Sequence, residues 1–416
     1  MGRVLNITCG LLRFLFTRFL PFIVLLLALF IGWLNNTSIE DNIPVEARLF
    51  VFLIPLLKGL LPPILIGHGK LPLGKATPPV PDDLSPQSRP TNEVMLELVT
   101  STGTSGNEED STPVNYMPQE GIGMCCRPTA YDDVSVERTI LWYLLLGGRH
   151  IDGAQLYLNH IPIGRGINAA ISRGVPRDEI FITTKVWPSH FGYNTTKSLI
   201  PAFLKELNVG YIDMVLLHAP VRGTSYFLPK ECKELNLTYK QCRQETWKAL
   251  SELRAEGIIR NVGVSNFAVH QMHDIIELYD NNEDTIIAPI SNNQIQWNPW
   301  APKEWVDTVT FCQANNIIIT AHNSLGGSLE HHHAETIDIL KTLSSKYSRS
   351  VSSIMLRWAI QGGAAIIPGT GNPNHMKENL SIYNFELTQD DMQSIENLRY
   401  SDDVNSKFKA IFKPLE

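Results

Sequence analysis

From residue 117 onward the chain alternates two patterns of apolar and polar positions. Short apolar runs bounded by polar turns fall at 121–124, 150–154, 180–186, 211–218, 262–265, 290–297, 317–322 and 364–368. Between them, apolar residues return every three or four positions, as at 134–146, 196–207, 245–255, 269–278 and 303–314. An unbroken apolar run suits a strand covered on both faces, and the longer period suits a helix with one buried stripe. Eight such strands separated by helices predict an α/β fold, a parallel (β/α)8 TIM barrel. A doubly wound open sheet is the rival; it usually opens on a Gly-x-Gly-x-x-Gly turn, and the sequence has none.

Upstream the pattern changes. An uncharged apolar run at 19–34 follows Arg3, Arg13 and Arg18 and predicts a transmembrane anchor within residues 1–34. It is slightly shorter than the roughly 20 residues of a spanning helix, but Arg18 can snorkel and the apolar stretch at 11–16 can extend it. A cleaved signal peptide is the competing reading, and no small-x-small cleavage site follows the run. The second hydrophobic segment, 35–66, is apolar over 49–66, with Lys58 inside it and Pro55, Pro62 and Pro63 along it. It predicts the second arm of a hairpin or an interfacial segment.

Arginines precede the first run, Glu40, Asp41 and Glu46 lie between the two, and Lys70 and Lys75 follow the second. That placement favours a hairpin that leaves the rest of the chain in the cytosol. If only the first run spans, the barrel lies on the opposite side. The sequons at Asn194, Asn236 and Asn379 are then glycosylation candidates. Residues 67–93, rich in Pro, Ser and Asp, read as a linker, and 94–416 as the barrel domain. At its start, 96–99 and 112–116 flank a Gly/Ser/Glu-rich tip and predict a β-hairpin.

Composition narrows the function. The 416 residues are 44% hydrophobic and 19% charged, with a net charge of −7, which offers no basic footprint for nucleic acid. The six cysteines form no disulfide framework and no zinc spacing. Cys232 and Cys242 lie ten apart and would bond only in an oxidising compartment. His331, His332 and His333 are consecutive, so on a helix they point in different directions. They read as a solvated helix start, and no metal is expected.

In a barrel of this kind chemistry is built at the C-terminal ends of the strands. Asp152 and Tyr157 follow the second predicted strand, Lys185 ends the third and His218 ends the fourth. Each has an ordinary explanation alone, as helix cap, core filler, solvated lysine or satisfied histidine. Together on one rim they make a candidate catalytic set.

The surrounding motifs resemble the aldo-keto reductase family. They are GGRHIDGAQLY (147–157) with IGRGI after it, IFITTKVW (180–187), YIDMVLLHAP (211–220), WKALSELRAEGIIRNVGVSNF (247–267), NQIQWNP (293–299), IIITAHNSLG (317–326) and IIPGTGNPNHMKENL (366–380). The resemblance implies that Tyr157 is a proton donor, that Lys185 and Asp152 tune it, and that His218 polarises the substrate carbonyl. A phenol has an ordinary pKa of about 10, and an adjacent ammonium is expected to make it a usable acid near neutrality. The implied cofactor is NADPH, with NADH left open. Ser265, Asn266 and Gln294 match positions that hold the nicotinamide carboxamide, and Glu378 and Asn379 match positions around the adenine.

Several positions depart from the family pattern. His322, Asn323 and Ser324 stand where a Tyr-Ser-Pro run is usual, so stacking on the nicotinamide should be weaker. Gly369 and His375 stand where members carry a lysine and an arginine for the 2′-phosphate of NADPH, while Thr370 keeps its hydroxyl. The loop that passes Leu325 and Gly326 is short, which implies a faster-exchanging cofactor. Trp187 matches an aromatic of the substrate pocket, whereas Ala219 and Cys125 replace others. An insertion between Pro220 and Glu245, with Lys230 and Lys233, is placed to border that pocket. The implied partners are a small carbonyl compound and, through the N-terminus, a membrane. The leading expectation is a membrane-anchored NAD(P)(H)-dependent reductase of aldehydes or ketones. The alternative is a non-catalytic, nucleotide-binding subunit that reports redox state to a membrane partner.

Overall fold

The computed structural model describes residues 76–99, 115–220, 228–280, 286–326, 334 and 337–400. The predicted anchor, the second hydrophobic segment, the first part of the linker and the histidine run all lie outside these residues. Among the described residues no helix is long and apolar enough to cross a membrane. All of them belong to one compact unit, residues 63–412.

Strands β1 (Met95–Leu98) and β2 (Asn115–Pro118) pair antiparallel, with Leu96 opposite Met117. The predicted hairpin is present, with its second strand shifted towards the barrel. Its apolar face, Leu98 and Met117, packs on Phe181, Met214, Leu216 and Ala365 and covers the N-terminal end of the barrel. Eight parallel strands follow: β3 (Ile122–Gly123), β4 (His150–Asp152), β5 (Phe181–Val186), β6 (Ile212–Leu217), β7 (Ile259–Ser265), β8 (Asn292–Gln296), β9 (Ile318–His322) and β10 (Ala365–Ile366), in that spatial order. The sheet closes on itself where Gly121 N donates to Ile366 O and Ile366 N to Gln119 O, both at 2.8 Å. Every residue of β5 and β6 is buried, which explains why these strands read as unbroken apolar runs rather than as alternation.

Helices α1 (Asp133–Leu145), α2 (His160–Ser172), α3 (Tyr193–Leu207), α4 (Lys230–Glu234), α5 (Tyr239–Ala255), α6 (Val269–Asp280), α7 (Lys303–Ala314), α8 (Asp338–Tyr347), α9 (Val351–Gln361), α10 (Pro373–Leu380) and α11 (Gln389–Glu396) lie along the chain between and after the strands. The fifth starts six residues before its predicted position, because Thr238 and Gln241 form a reciprocal capping box there. Glycines in the IGRGI motif let α2 approach both neighbours. A Cβ on Gly164 would lie 2.2 Å from Leu207 O, and one on Gly166 would lie 2.7 Å from Glu137 O.

The described two thirds of the expected linker, residues 76–93, is bound to the barrel rather than free. Pro78 O accepts from Trp142 Nε1 at 3.0 Å, Gln87 O from Arg149 Nη2 at 3.0 Å, and Thr77 Oγ1 lies 3.0 Å from Thr139 Oγ1. A proline-rich segment lacks donors but keeps its carbonyls, and side chains of α1 and of the residue before β4 use them.

Candidate active site

The predicted catalytic set converges. Lys185, at the end of β5, has a side chain that is 0% exposed, and Asp152, at the end of β4, one that is 2% exposed. Lys185 Nζ donates to Asp152 Oδ1 at 2.5 Å, to Gly153 O at 2.9 Å and to Tyr157 OH at 3.4 Å. The three protons of the ammonium are thereby directed at three oxygens.

Tyr157 lies on a single 3-10 turn, Gln155–Tyr157, that follows β4. That turn is held from both sides. Gln155 Oε1 accepts from Trp187 N at 2.9 Å, and Asn159 Nδ2 donates to Met124 O at 2.9 Å. His218 meets the rings of Tyr157 and Trp187 edge-on, at centroid distances of 5.6 and 5.1 Å. Its Nδ1 is buried without a hydrogen-bond partner.

Burial dominates the titration of this cluster. It lowers the Lys185 ammonium, against the opposing pull of Asp152. It drives His218 well below the usual histidine range, with the charge on Lys185 adding to the effect, so the imidazole is neutral at physiological pH. Burial first, and then the Asp152 carboxylate, push the phenol well above its ordinary value. Asp152 offsets the ammonium, so the phenol keeps its proton at neutral pH.

The residues matched to the nicotinamide form a connected polar chain. Gln294 Nε2 donates to Asp152 Oδ2 at 2.7 Å, while its backbone oxygen accepts from Ser265 Oγ at 3.0 Å. Asn266 Nδ2 donates to Ser265 Oγ and to His218 O, both at 3.0 Å. Asn266 Oδ1 therefore faces His322 Nε2, 2.9 Å away, and accepts its proton. Burial lowers His322 to about 4, so it too is neutral. The positions matched to the nicotinamide and the Lys185–Asp152 pair are thus one network, a link the sequence did not reveal.

The remaining positions are less closely knit. Asn323 is exposed, with a φ of 51°, and half-buried Leu325 lies in the turn that Gly326 N closes on Asn323 O at 2.8 Å. Thr370 Oγ1 accepts from Asn372 N at 3.0 Å and lies 3.4 Å from His375 Nδ1. Glu378 is tied elsewhere, accepting from Ser350 Oγ at 2.5 Å and Ser353 Oγ at 2.9 Å. Asn379 is half-buried on α10. Trp187 and Ala219 are half-buried, and Cys125 is bonded to Cys126 rather than a free thiol. Within the insertion, Glu231 of α4 accepts from Thr195 N and Thr195 Oγ1 at the start of α3. Cys232 is bonded to Cys242. Among the described residues no group of three His, Cys, Asp or Glu is placed to hold a metal ion.

Comparison with known proteins identifies the family. The Aldo/keto reductase family profile matches residues 121–399, and the chain belongs to that family. It is an NAD(P)-dependent oxidoreductase of the kind that acts on carbonyl compounds. A 9,11-endoperoxide prostaglandin H2 reductase of Trypanosoma cruzi is 33% identical over 287 residues, covering 68% of this chain and 88% of the relative. An NADH-dependent D-xylose reductase of Candida parapsilosis is 30% identical over 287 residues, covering 63% and 83%. Among solved structures, a Bombyx mori aldo-keto reductase in complex with NADP superposes with a TM-score of 0.56 at 26% identity, covering 73% of this chain and 93% of that one.

Proposed function

We propose that this protein reduces an aldehyde or ketone to the alcohol, with NADPH as its default cofactor and Tyr157 as proton donor. The observation that carries the reading is the Lys185 ammonium, in hydrogen-bond reach of both Tyr157 OH and Asp152 Oδ1. The residues present fit a nicotinamide nucleotide. A buried His218 Nδ1 lacks a partner in the protein, and Ser265, Asn266 and Gln294 line one polar strip beside it.

When bound, the nicotinamide supplies or accepts hydride. The protein's share is acid catalysis and orientation. As hydride reaches the carbonyl carbon, negative charge grows on its oxygen, which is a far stronger base than a phenolate. Tyr157 holds its proton until that charge develops and then yields it, and Lys185 stabilises the phenolate left behind. Neutral His218 orients the carbonyl oxygen by a hydrogen bond.

Tyr157→Phe in the full-length chain, purified in mild detergent, tests the reading. Carbonyl reduction is expected to fall by about 10²- to 10⁴-fold, with nucleotide affinity nearly unchanged. Equal turnover in the variant would remove Tyr157 from the chemistry. Loss of nucleotide binding in the unaltered protein would remove the reductase itself. The non-catalytic reading predicts nucleotide binding without turnover in both forms.

The membrane assignment belongs to the same proposal. The apolar run at 19–34 is the anchor, and the charge placement favours a cytosolic barrel. Two observations favour the opposite side: Cys232 is bonded to Cys242, and Asn194 and Asn236 are exposed sequon residues. A glycan on either asparagine in material from the native cells decides for the non-cytosolic side. Free thiols at Cys232 and Cys242 together with unmodified asparagines decide for the cytosol.

A further inference from the structure

The loop after β10 reads Gly369-Thr370-Gly371, with glycine at the position where the family resemblance implies a lysine. The space those glycines vacate is filled from elsewhere in the chain. A Cβ on Gly369 would lie 2.9 Å from Arg127 Nη1. A Cβ on Gly371 would lie 2.6 Å from Thr77 Oγ1 and 3.0 Å from Thr129 Oγ1. Arg127 comes from the loop between β3 and α1, just after the strand that closes the barrel against β10.

The guanidinium is fixed in place by its neighbours. Nη1 donates to Gly123 O at 2.5 Å, Nε to Thr129 Oγ1 at 3.1 Å, and Nη2 lies 3.4 Å from Met124 Sδ. Among the described residues no carboxylate pairs with it. Burial pulls its pKa down to about 10, opposed by the phenol of Tyr131 alone and by no carboxylate. A half-buried cation with part of its fork unused and no counter-charge lacks an anion. The loop beside it leads into the N-terminus of α10 at Pro373, where the backbone also favours negative charge.

We propose that Arg127 is the specificity residue for the 2′-phosphate of NADPH, in place of the side chain that Gly369 does not carry. The inference rests on the nucleotide-binding reading above and deepens it. It reverses what the sequence implied, since the loss of cations at positions 369 and 375 no longer means a loss of NADPH preference. A guanidinium suits this task because its planar fork can place two donors on one phosphate.

The test is calorimetric titration of the full-length protein in detergent with NADPH, NADH, 2′,5′-ADP and 5′-AMP. Arg127→Met is expected to weaken NADPH and 2′,5′-ADP by about tenfold to a hundredfold while NADH and 5′-AMP stay within about twofold. Removing Arg127 also opens the volume beside Gly369, so Arg127→Met combined with Gly369→Lys should recover most of the loss. Should Arg127→Met fail to fold, Arg127→Lys is read instead, with an expected loss of about threefold to tenfold confined to the 2′-phosphorylated ligands. An unchanged NADPH-to-NADH ratio, or an equal loss for both nucleotides, overturns the assignment while leaving the reductase intact. Failure of the unaltered protein to bind either nucleotide overturns the parent reading instead.

Discussion

Replacing Lys185 with methionine isolates the interaction on which the site is built. The substitution keeps the volume of a fully buried side chain but removes the ammonium from Asp152 Oδ1, 2.5 Å away. Asp152 then retains the Gln294 amide on its other oxygen, at 2.7 Å, and no cation. Leaving one member of a buried ion pair uncompensated costs about 3–5 kcal/mol, unless the carboxyl takes up a proton. Its folded pKa would then exceed the roughly 3.9 of an unfolded aspartate. A carboxyl raised in this way adds no penalty below its unfolded pKa. Above it the penalty grows by about 1.4 kcal/mol per pH unit until the folded pKa is reached. Urea unfolding of the full-length chain, followed by tryptophan fluorescence, should therefore show a larger deficit at pH 7 than at pH 5. Adding Asp152→Leu removes the stranded charge as well. The double variant should return to within about 2 kcal/mol of the parent yet fail to reduce carbonyl compounds. A deficit for Lys185→Met below about 1 kcal/mol, equal at both pH values, would mean that water reaches the pair and would refute the argument.

Three other perturbations test the fold around the site. Gly164→Ala places a Cβ 2.2 Å from Leu207 O and should cost about 1–3 kcal/mol as α2 and α3 separate. Gly210→Ala, where nothing lies within 4 Å, is the control for its urea midpoint. Glu120 is 1% exposed and accepts from Tyr143 OH at 2.7 Å, and burial raises its pKa well above the usual carboxylate range. Its contribution is therefore complete below the unfolded value and is lost as pH rises. Glu120→Gln should gain on the parent between pH 5 and pH 8, and parallel stability profiles would contradict this. Cys232→Ser opens a disulfide that spans ten positions and should cost about 2.5 kcal/mol. Reductant should lower the parent's midpoint by a similar amount more than it lowers the variant's, which keeps the Cys125–Cys126 bond.

What the sequence made legible here followed from periodicity and position. A parallel strand covered on both faces must be apolar throughout, so β5 and β6 announced themselves, and the residues at their ends, Lys185 and His218, followed from the architecture. The short strands β3 and β10 were legible through spacing, and they proved only two residues long in the sheet. The phenol's acidity was not legible, because its direction is decided by desolvation and by the side of Lys185 that Asp152 occupies. Nor were the contacts of Gln155 and Asn159, since a polar residue in a turn gives no sign of which distant backbone it holds. The clearest case is the pair Arg127 and Gly369. Read along the chain, a glycine where a lysine is usual means a lost charge. The barrel, however, brings the first and last strands of its sheet together, and the Arg127 guanidinium occupies the volume that a side chain at 369 would need. A charge can leave one loop and return from another 242 residues away without any local mark in the sequence. Only closure of the sheet through Gly121 and Ile366 brings the two positions side by side.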